Sequence, residues 1–340
     1  MVHSALRRLR GWEGLLLAVL LVVLVYNFSS VPGFTSGSNL TNLFQLGIEK
    51  AIVVLVMAFV IINGEIDLSV ASMMGLAAAV AAYLFEQGTG MEIAILVALL
   101  VGVLGGLFNG FFVAVLGLPS LAVTLATYIG FRGLARLLVE DRSIGGFPDW
   151  FDQLGQQGLI GSLTLSIVIY GALAVVAVML LHLTGFGRYS YVIGNSAAVA
   201  RFSGVRVARV KLVVFAMCGL ISALAGVLMA ARLGAVRAST AEGFELDIIT
   251  IVLLGGVSIF GGSGTMIGVL LSTVLVLNIR NGMVLGGITG NTQTGVIGLL
   301  LILSVLLPNV AVELRGRWRR RTAEPGAPPP PPTASTSTAA

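Results

Sequence analysis

The sequence has few of the charged residues that a soluble protein needs on its surface. Only 10% of its 340 residues are charged, 57% are hydrophobic, and the mean hydropathy is +1.01. Soluble domains have roughly 25% charged and about 45–50% apolar residues. So few charges cannot cover a water-facing surface, and this composition excludes a soluble globular domain.

Cysteine, histidine and lysine are almost absent. Cys218 is the single cysteine, so it cannot form an internal disulfide, and we expect it to be a small packing residue. His3 and His182 are too isolated to indicate a metal site. Neither Lys50 nor Lys211 follows the GxxxxGK[ST] phosphate-binding pattern. We therefore predict no catalytic residue, no metal and no cofactor on this chain, and any ATP hydrolysis would take place on another polypeptide.

What the sequence does have is a series of apolar runs near the ~20 residues that cross a bilayer. They predict an all-α polytopic membrane protein with about ten transmembrane helices. The runs cover approximately residues 14–28, 46–63, 68–85, 92–116, 119–139, 161–183, 211–231, 246–260, 264–280 and 292–308. No A-x-A-like cleavage site follows the first run, which favours an uncleaved anchor over a signal peptide. The run 246–260 is short and contains glycines, so a re-entrant or broken helix is an alternative there.

The charges of the loops indicate how these helices are oriented. Residues 184–211 contain five basic residues and no acid, whereas residues 140–160 contain four acids and one arginine. Basic residues collect on the cytoplasmic side of membrane proteins. With a cytoplasmic start, six crossings put 184–211 inside and five put 140–160 outside. The pattern predicts that both termini are cytoplasmic.

The same interpretation divides the chain into three parts. Residues 1–13 are predicted to be a cytoplasmic N-terminus, and residues 14–308 a transmembrane domain with a cytoplasmic loop at 184–211. Residues 309–340 are basic at first and then rich in Pro, Ala and Thr. This composition is typical of disordered segments, so we predict a disordered cytoplasmic tail. The net charge of +5 lies mainly in flanks and loops, which fits membrane orientation and not nucleic-acid binding.

Small residues recur at every fourth position in the run 92–116. Gly102, Gly106, Gly110 and Ala114 would lie on one helix face. Such a strip lets a neighbouring helix approach closely inside a membrane. We therefore predict a helix-packing face, and a role in conduction is the weaker interpretation.

Two Glu-x-Asp pairs precede apolar runs, at Glu65/Asp67 and at Glu245/Asp247. Acids at a helix N-terminus bind free N–H groups, which is the interpretation we favour. A proton or cation relay is the functional alternative. By the predicted topology the first pair lies inside and the second outside, five helices later. This arrangement suggests an inverted repeat of five plus five helices.

Several other polar residues fall inside predicted helices. Arg132 and Arg136 lie four residues apart and are expected to extend to the outer surface or to pair with acids of the following loop. Asn109, Thr124 and Thr127 are expected to form interhelical hydrogen bonds. The glycine-rich stretch 261–268 lacks the context of a nucleotide site and predicts a tight turn.

Four stretches of the sequence resemble one known family. They are GEIDLSVAS (64–72), GLFNGFFVAVLGLPSLAVTLAT (106–127) with RGLA (132–135), GRYSYVIGNSAAVARFSGV (187–205), and FELDIITIVLLGGVSIFGGSGTMIG (244–268) with IRNG (279–282). The family has GGIDLSVGS, an NG hinge with TLGT and RGLA, GRxxYAIGgNxxAARxSGI, and ELDaIAAvvlGGtSifGGxG. It comprises the permease subunits of bacterial ABC importers for monosaccharides, the ribose, xylose, rhamnose and autoinducer-2 group. The resemblance covers roughly residues 40–308.

The sequence departs from this family at a few positions. Glu65 and Ala71 stand where the family usually has glycine, and Thr250 and Ile251 replace two alanines. The sequences VSIFGGSG and IRNG are most similar to those of the rhamnose and autoinducer-2 branches. These departures leave the resemblance intact but do not fix the sugar.

The resemblance implies partners for the chain. It implies a second permease copy or paralogue, two cytoplasmic ATPase subunits and an extracytoplasmic sugar-binding protein, in the inner membrane of a bacterium. The domain 14–308 would be the permease domain, and 184–211 its coupling loop. The residues that the resemblance places on the ATPase are Asn195, Ala198, Arg201, Ser203 and Gly204. On charge alone, a loop that is basic only for orientation is the alternative.

The function expected from this resemblance is import of a monosaccharide by alternating access, with a rhamnose- or autoinducer-2-like sugar favoured. The candidates for the translocation path are Asp67, Ser69, Asn109, Thr124, Thr127 and Asp247. The chief alternative is an ion-coupled secondary sugar transporter that uses the Glu-x-Asp pairs as its coupling site. A second alternative is a structural membrane protein without a conduit.

Overall fold

A computed structural model describes residues 11–37, 39, 43, 47–160, 163–304 and 306 of the chain. Within this part, the protein is mostly helical. The segment 1–10 of the predicted N-terminus and the predicted tail 309–340 lie outside the described residues.

Helices follow one another along the chain with short connections. The first group is α1 (Trp12–Ser30), α2 (Ile48–Ile62), α3 (Val70–Glu86), α4 (Met91–Gly110, continued by a π-helical segment Phe111–Val115) and α5 (Ser120–Val139). A short helix α6 (Asp149–Gln156) and α7 (Leu165–Leu183) follow, with strands β1 (Ile144–Gly145), β2 (Gly158–Ile160) and β3 (Leu163–Thr164) around them. The second half contains α8 (Gly185–Asn195), α9 (Ala197–Phe202), α10 (Val207–Leu233), β4 (Ala235–Val236), α11 (Phe244–Leu254), α12 (Met266–Leu285) and α13 (Gly290–Ser304).

Each predicted apolar run overlaps a helix of the described residues. In the described residues, six helices are long and apolar enough to cross a membrane: Trp12–Ser30, Met91–Val115, Ser120–Val139, Leu165–Leu183, Val207–Leu233 and Met266–Leu285. The helix in the run 246–260 is shorter than that run, because α11 ends at Leu254 before two glycines. Its 11 residues extend about 16 Å at 1.5 Å per residue, roughly half of the hydrocarbon thickness.

Two helices form the centre of the bundle, α2 and α10. Every residue of α2 is buried, and α10 packs against α2, α3 and α4. By contrast, α1, α4, α5 and α7 have many exposed large apolar side chains, such as Val22, Leu96 and Ile129. An apolar exterior around a packed centre is the arrangement that a lipid environment stabilises.

The predicted glycine strip is confirmed as a packing face. On α4, Gly102 faces Gly219 and Ala223 of α10, and Gly106 faces the backbone at Phe215. No room remains for a Cβ at either glycine. The absence of side chains on this face allows α4 and α10 to come into backbone contact.

The connecting segments gather at two ends of the bundle. One end, here called the α8 end, joins residues 64–69, 184–206 and 255–265; there Gly262 N donates to Ile62 O at 2.9 Å. The other, called the β1 end, joins residues 140–160 and 232–245 through the pairing of β1 with β4. The segments predicted to be cytoplasmic are therefore at one end, and the predicted outer segments at the other.

The structure corrects two expectations about loops. The segment 184–211 is not an open loop, because α8, α9 and the first turn of α10 occupy almost all of it. Of the two alternatives expected for the arginines of α5, pairing with acids of the following loop is not seen, whereas the Arg136 side chain is largely exposed, as the other alternative expects. Arg136 lies 3.8 Å from Glu242 in the 237–243 connection, and Arg132 is buried on backbone carbonyls. The cause is the β1–β4 pairing, which brings residues 235–236 to residues 144–145.

The glycine-rich stretch 261–268 begins with the tight turn that the sequence predicts. Gly261, Gly262 and Gly264 all have positive φ, and α12 starts two residues later at Met266. Glycine reaches these backbone conformations without steric strain. The turn packs directly on Gly64 and Gly194, so it belongs to the α8 end.

Candidate coupling surface and buried charge pairs

The surface of the α8 end is built by two short, capped helices. Thr184 caps α8, where its hydroxyl accepts from Gly187 N. Ser196 caps α9, where its hydroxyl accepts from Val199 N at 3.3 Å. Side-chain oxygens at these positions satisfy N–H groups that have no partner within the helix. The two caps divide the segment into two helices with a sharp corner between them.

A small apolar cluster attaches both helices to the bundle. Ile193 of α8 and Ala200 of α9 are buried against Val207 and Val210 of α10. A packed cluster of this kind transmits displacement and does not absorb it, because protein interiors have low compressibility. Movement of α8 and α9 would therefore reach α10, the central helix.

The five predicted docking residues lie on the outer side of this helix pair. Asn195, Ala198, Arg201, Ser203 and Gly204 are all exposed. Asn195 is also tied inward, because its side-chain amide donates to Gly262 O at 3.1 Å and to Tyr191 O at 2.9 Å. This residue therefore joins the helix pair to the turn at 261–264.

Two exposed aromatic residues were missed in the sequence. Phe202 at the end of α9 is 93% exposed and Phe260 in the neighbouring turn is 79% exposed. Buried aromatic anchors carry much of the energy of protein interfaces. A phenylalanine between Arg201 and Ser203, inside a polar basic segment, was the signal that could have revealed the first of them.

Four of the six path candidates meet around residues 66–69. Ser69 Oγ donates to Asp67 at 2.6 Å and accepts from the Asn109 side chain at 2.9 Å. Thr124 donates to Ile66 O at 3.2 Å. All four are buried, so the network fixes the corner between α2 and α3 against α4 and α5.

The other two path candidates are placed elsewhere. Thr127 bonds to the backbone of its own helix, at Val123 and Thr124. Asp247 lies at the β1 end, where Lys50 Nζ is 2.8 Å and Arg280 Nη2 is 2.5 Å from the same carboxylate oxygen, Oδ2. The structure thus does not bring the six residues together into one site.

The two lysines of the chain form a reciprocal arrangement with the two Glu-x-Asp pairs. Lys50, in the first turn of α2, pairs with Asp247 in the first turn of α11. Lys211, in the first turns of α10, pairs with Glu65 at the α8 end. Each lysine therefore reaches the acidic pair of the other half, and the two pairs lie at opposite ends of the bundle.

Arg132 connects segments of the β1 end through backbone carbonyls and not through a carboxylate. Its guanidinium donates to Thr240 O at 2.7 Å, to Ala238 O at 3.1 Å and to Ala71 O at 3.4 Å. The glycine at position 75 makes room for it, since a Cβ there would lie 2.8 Å from Nη1. One arginine thus holds the 237–243 connection on α3 and α5.

The comparisons with known proteins agree with this architecture. Residues 39–305 match the family described as "Branched-chain amino acid transport system / permease component". No solved structure matches the chain.

Three curated relatives are similar over nearly their whole length. The chain is 34% identical to the ribose import permease protein RbsC of Bacillus subtilis, covering 89% of this chain and 93% of the relative. It is 35% identical to the probable ABC transporter permease protein YphD of Escherichia coli, covering 86% and 88%. It is 34% identical to the autoinducer 2 import system permease protein LsrD of Yersinia pseudotuberculosis, covering 88% and 92%.

Proposed function

This chain belongs to the family of branched-chain amino acid transport system permease components, and from its similarity to the permeases named for ribose and autoinducer 2 we propose that it carries a monosaccharide inward as one subunit of an ABC importer. Proteins of this kind are non-catalytic transport components. The chain is accordingly a multi-pass protein of the bacterial inner membrane and not an enzyme. ATP is hydrolysed on separate subunits.

The observation that carries the proposal is the helix pair α8–α9. It combines exposed polar and basic residues, one fully projecting aromatic side chain at Phe202, and an apolar attachment to α10. A partner protein could bind such a surface, and movement of the partner would be transmitted through α8 and α9 to the centre of the bundle. We assign this surface to the ATPase subunits, with Asn195, Ala198, Arg201, Ser203 and Gly204 as docking residues.

The mechanism we propose is alternating access. Closure of two ATPase subunits on ATP would displace α8 and α9 as a rigid unit, together with the turn at 261–264 that Asn195 holds. The path would then switch from the extracytoplasmic binding protein to the cytoplasm. The buried network of Asp67, Ser69 and Asn109 adjoins the moving unit at the α8 end, which supports these residues as path candidates.

We further propose ten helices in two inverted halves, with the α8 end and both termini in the cytoplasm and 14–308 as the permease domain. The basic segment 184–211 supports this orientation. The repeat is supported by two ion pairs, Lys50 with Asp247 and Lys211 with Glu65, because in each the lysine of one half pairs with an acid of the other half. A two-fold axis in the membrane plane would interchange α2 with α10 and α3 with α11.

The substrate we propose is a small neutral sugar. Two of the relatives are named for ribose and for autoinducer 2. A rhamnose-like sugar is a further candidate, because the motifs VSIFGGSG and IRNG resemble those of the rhamnose branch. A neutral substrate needs few charges along its path. A second permease copy completes the pore, and the binding protein supplies most of the specificity.

Three of the four acids that the ion-coupled alternative would use are held by neighbouring residues, which does not favour that alternative. Glu65 and Asp247 are engaged by lysines, and Asp67 accepts from the backbone and side chain of Ser69. A cation relay needs carboxylates that are free to exchange their cation. These three act instead as fixed partners.

Reconstitution in proteoliposomes tests the proposal. The chain is combined with its cognate ATPase and binding protein, and uptake of labelled ribose, rhamnose, autoinducer 2 and leucine is measured with and without ATP. We expect ATP-dependent uptake of one sugar and none of leucine. Sugar uptake by the chain alone, driven by a proton or sodium gradient, would establish the alternative and refute the ABC assignment.

A further inference from the structure

A cavity of about 210 Å³ lies between α2, α11 and α12 near the β1 end. Its walls are mostly apolar, with Ile251, Val276 and Leu277 among them. Its polar edge contains Lys50, Asp247 and Arg280. A cavity with one charged edge and an apolar body suits a ligand that has both an ionic and an apolar part.

The charges at this edge do not balance among the described residues. Lys50 and Arg280 both bind Oδ2 of Asp247, so two cations share one carboxylate. The neighbouring acid, Glu49, is already engaged by Arg232 at 2.7 Å and 3.3 Å. Among the charged side chains that line the cavity, one positive charge is therefore left over. An uncompensated charge in such surroundings is costly, which favours a second anion in the cavity.

The charged hydrogen-bond donors at the cavity are those of Lys50 and Arg280. Asn281 is paired with the Asn39 side chain, and Thr273 donates to Val269 O. Arg280 uses a single nitrogen for Asp247, and its other N–H groups have no partner in the part of the chain that the structure describes. A ligand that only accepts hydrogen bonds would complete this edge.

We propose that the cavity binds a phosphate group that carries one negative charge, between Lys50 and Arg280. The phosphodiester of an anionic lipid and free phosphate share this chemistry. The apolar walls add contacts for the first carbons of an acyl chain, which only the lipid has. Binding there fastens α12 to α2 and α11 at the β1 end.

The test measures the melting temperature of the full-length chain in detergent by scanning fluorimetry. The probes are dioleoylphosphatidylglycerol, dioleoylphosphatidylcholine at the same mole fraction, and inorganic phosphate against chloride at equal ionic strength. We expect phosphatidylglycerol to raise the melting temperature more than phosphatidylcholine does. The substitution Arg280→Gln should weaken this binding by about tenfold or more, as for a lost charged hydrogen bond.

Two further variants make the result decisive. Arg142→Gln removes an exposed arginine that pairs with Glu86 at the same end, and it should keep the full lipid effect. If Arg280→Gln does not fold, Val284→Phe narrows the cavity from its exposed wall without changing a charge, and it should reduce the effect.

The outcomes separate the two sources of phosphate. A rise with phosphatidylglycerol alone assigns the site to a lipid, and a rise with inorganic phosphate assigns it to a free anion. The proposal is overturned by the absence of a rise with either probe in the unmodified chain. It is equally overturned by a rise that both Arg280→Gln and Val284→Phe retain.

Discussion

Lys50 Nζ lies 2.8 Å from Asp247 Oδ2, although 197 residues separate the two in the chain. The ammonium also lies 3.9 Å from the centre of the Phe244 ring. Both side chains are about nine-tenths buried, so the pair joins α2 to α11 in surroundings that screen charge poorly. This contact is the counterpart of the Lys211–Glu65 pair at the other end of the bundle.

Removing the shared carboxylate should cost more stability than removing one of its cations. Asp247→Asn leaves Lys50 and Arg280 both unpaired, and breaking a buried pair in this way costs roughly 3–5 kcal/mol. Lys50→Met leaves Arg280 on the carboxylate and should cost less. Denaturant titration of the purified chain measures the difference. Glu86→Gln, at an exposed pair with Arg142, is the control and should cost about 0–1 kcal/mol.

Truncating Phe202 should weaken ATPase association without affecting folding. Its ring is 93% exposed, so Phe202→Ala removes no contact within the chain. Loss of an aromatic anchor costs about 2 kcal/mol or more, near thirtyfold in affinity. Co-purification with the cognate ATPase measures this loss. Phe108→Ala, half exposed on α4 and in contact with the Phe112 ring, is the control for loss of an aromatic side chain outside the α8–α9 surface, and equal retention of the ATPase by both variants would contradict the assignment.

Adding a methyl group at the α4–α10 contact should destabilise the protein much more than adding one on the outer face of α5. At Gly106 an added Cβ would clash with the backbone at Phe215, and overpacking costs about 1–3 kcal/mol. At Gly133 nothing lies within 4 Å, so Gly133→Ala should be neutral or slightly stabilising in the helix. Thermal unfolding of both alanine variants makes the comparison. Similar melting temperatures would show that the two helices are not in close contact.

Replacing Arg132 should loosen the 237–243 connection. Arg132→Met removes the side-chain donor of the Ala238 and Thr240 carbonyls, and each buried unsatisfied group costs about 1–3 kcal/mol. Hydrogen exchange at residues 237–243 should become faster, whereas exchange in α9 at the other end should not change. A uniform increase along the chain would indicate general unfolding and not a local release.

Asp152 should make the folding stability of the protein depend on pH. Burial raises the pKa of this carboxyl, and the neighbouring Asp149 raises it further. The folded protein therefore holds the proton more tightly than the unfolded chain does. The stabilisation is present below the ordinary carboxyl pKa and is lost as the pH rises through the raised value. Asp152→Asn should raise the melting temperature at pH 7 relative to the unmodified chain, and this advantage should shrink or vanish near pH 4.

The position of the helices could be predicted from the sequence because hydropathy is a local property. Each predicted apolar run overlaps a helix of the described residues, and the glycine strip of α4 does pack against a neighbour. The run at 246–260 shows the limit of this approach. A window of apolar residues continues past Leu254, but the two glycines that follow end the helix there.

The candidate site was predicted in part. The exposed face of residues 195–204 followed from basic composition and from the resemblance, and the structure gives it the form of two capped helices. The prominence of Phe202 and Phe260 did not follow, because an apolar residue in a short polar segment is as easily buried as exposed. Their exposure depends on which side of α9 and of the turn faces α10.

The sequence by itself determined that this chain is a membrane protein, approximately where most of its membrane helices lie, and which segment carries the basic charge. These properties depend on neighbouring residues and on transfer free energies that each residue contributes separately. Only the tertiary structure decided which charges meet. Lys50 and Asp247, Lys211 and Glu65, and Arg132 and Thr240 are far apart in the chain, and each pair exists because helix packing brings its two partners within hydrogen-bond distance.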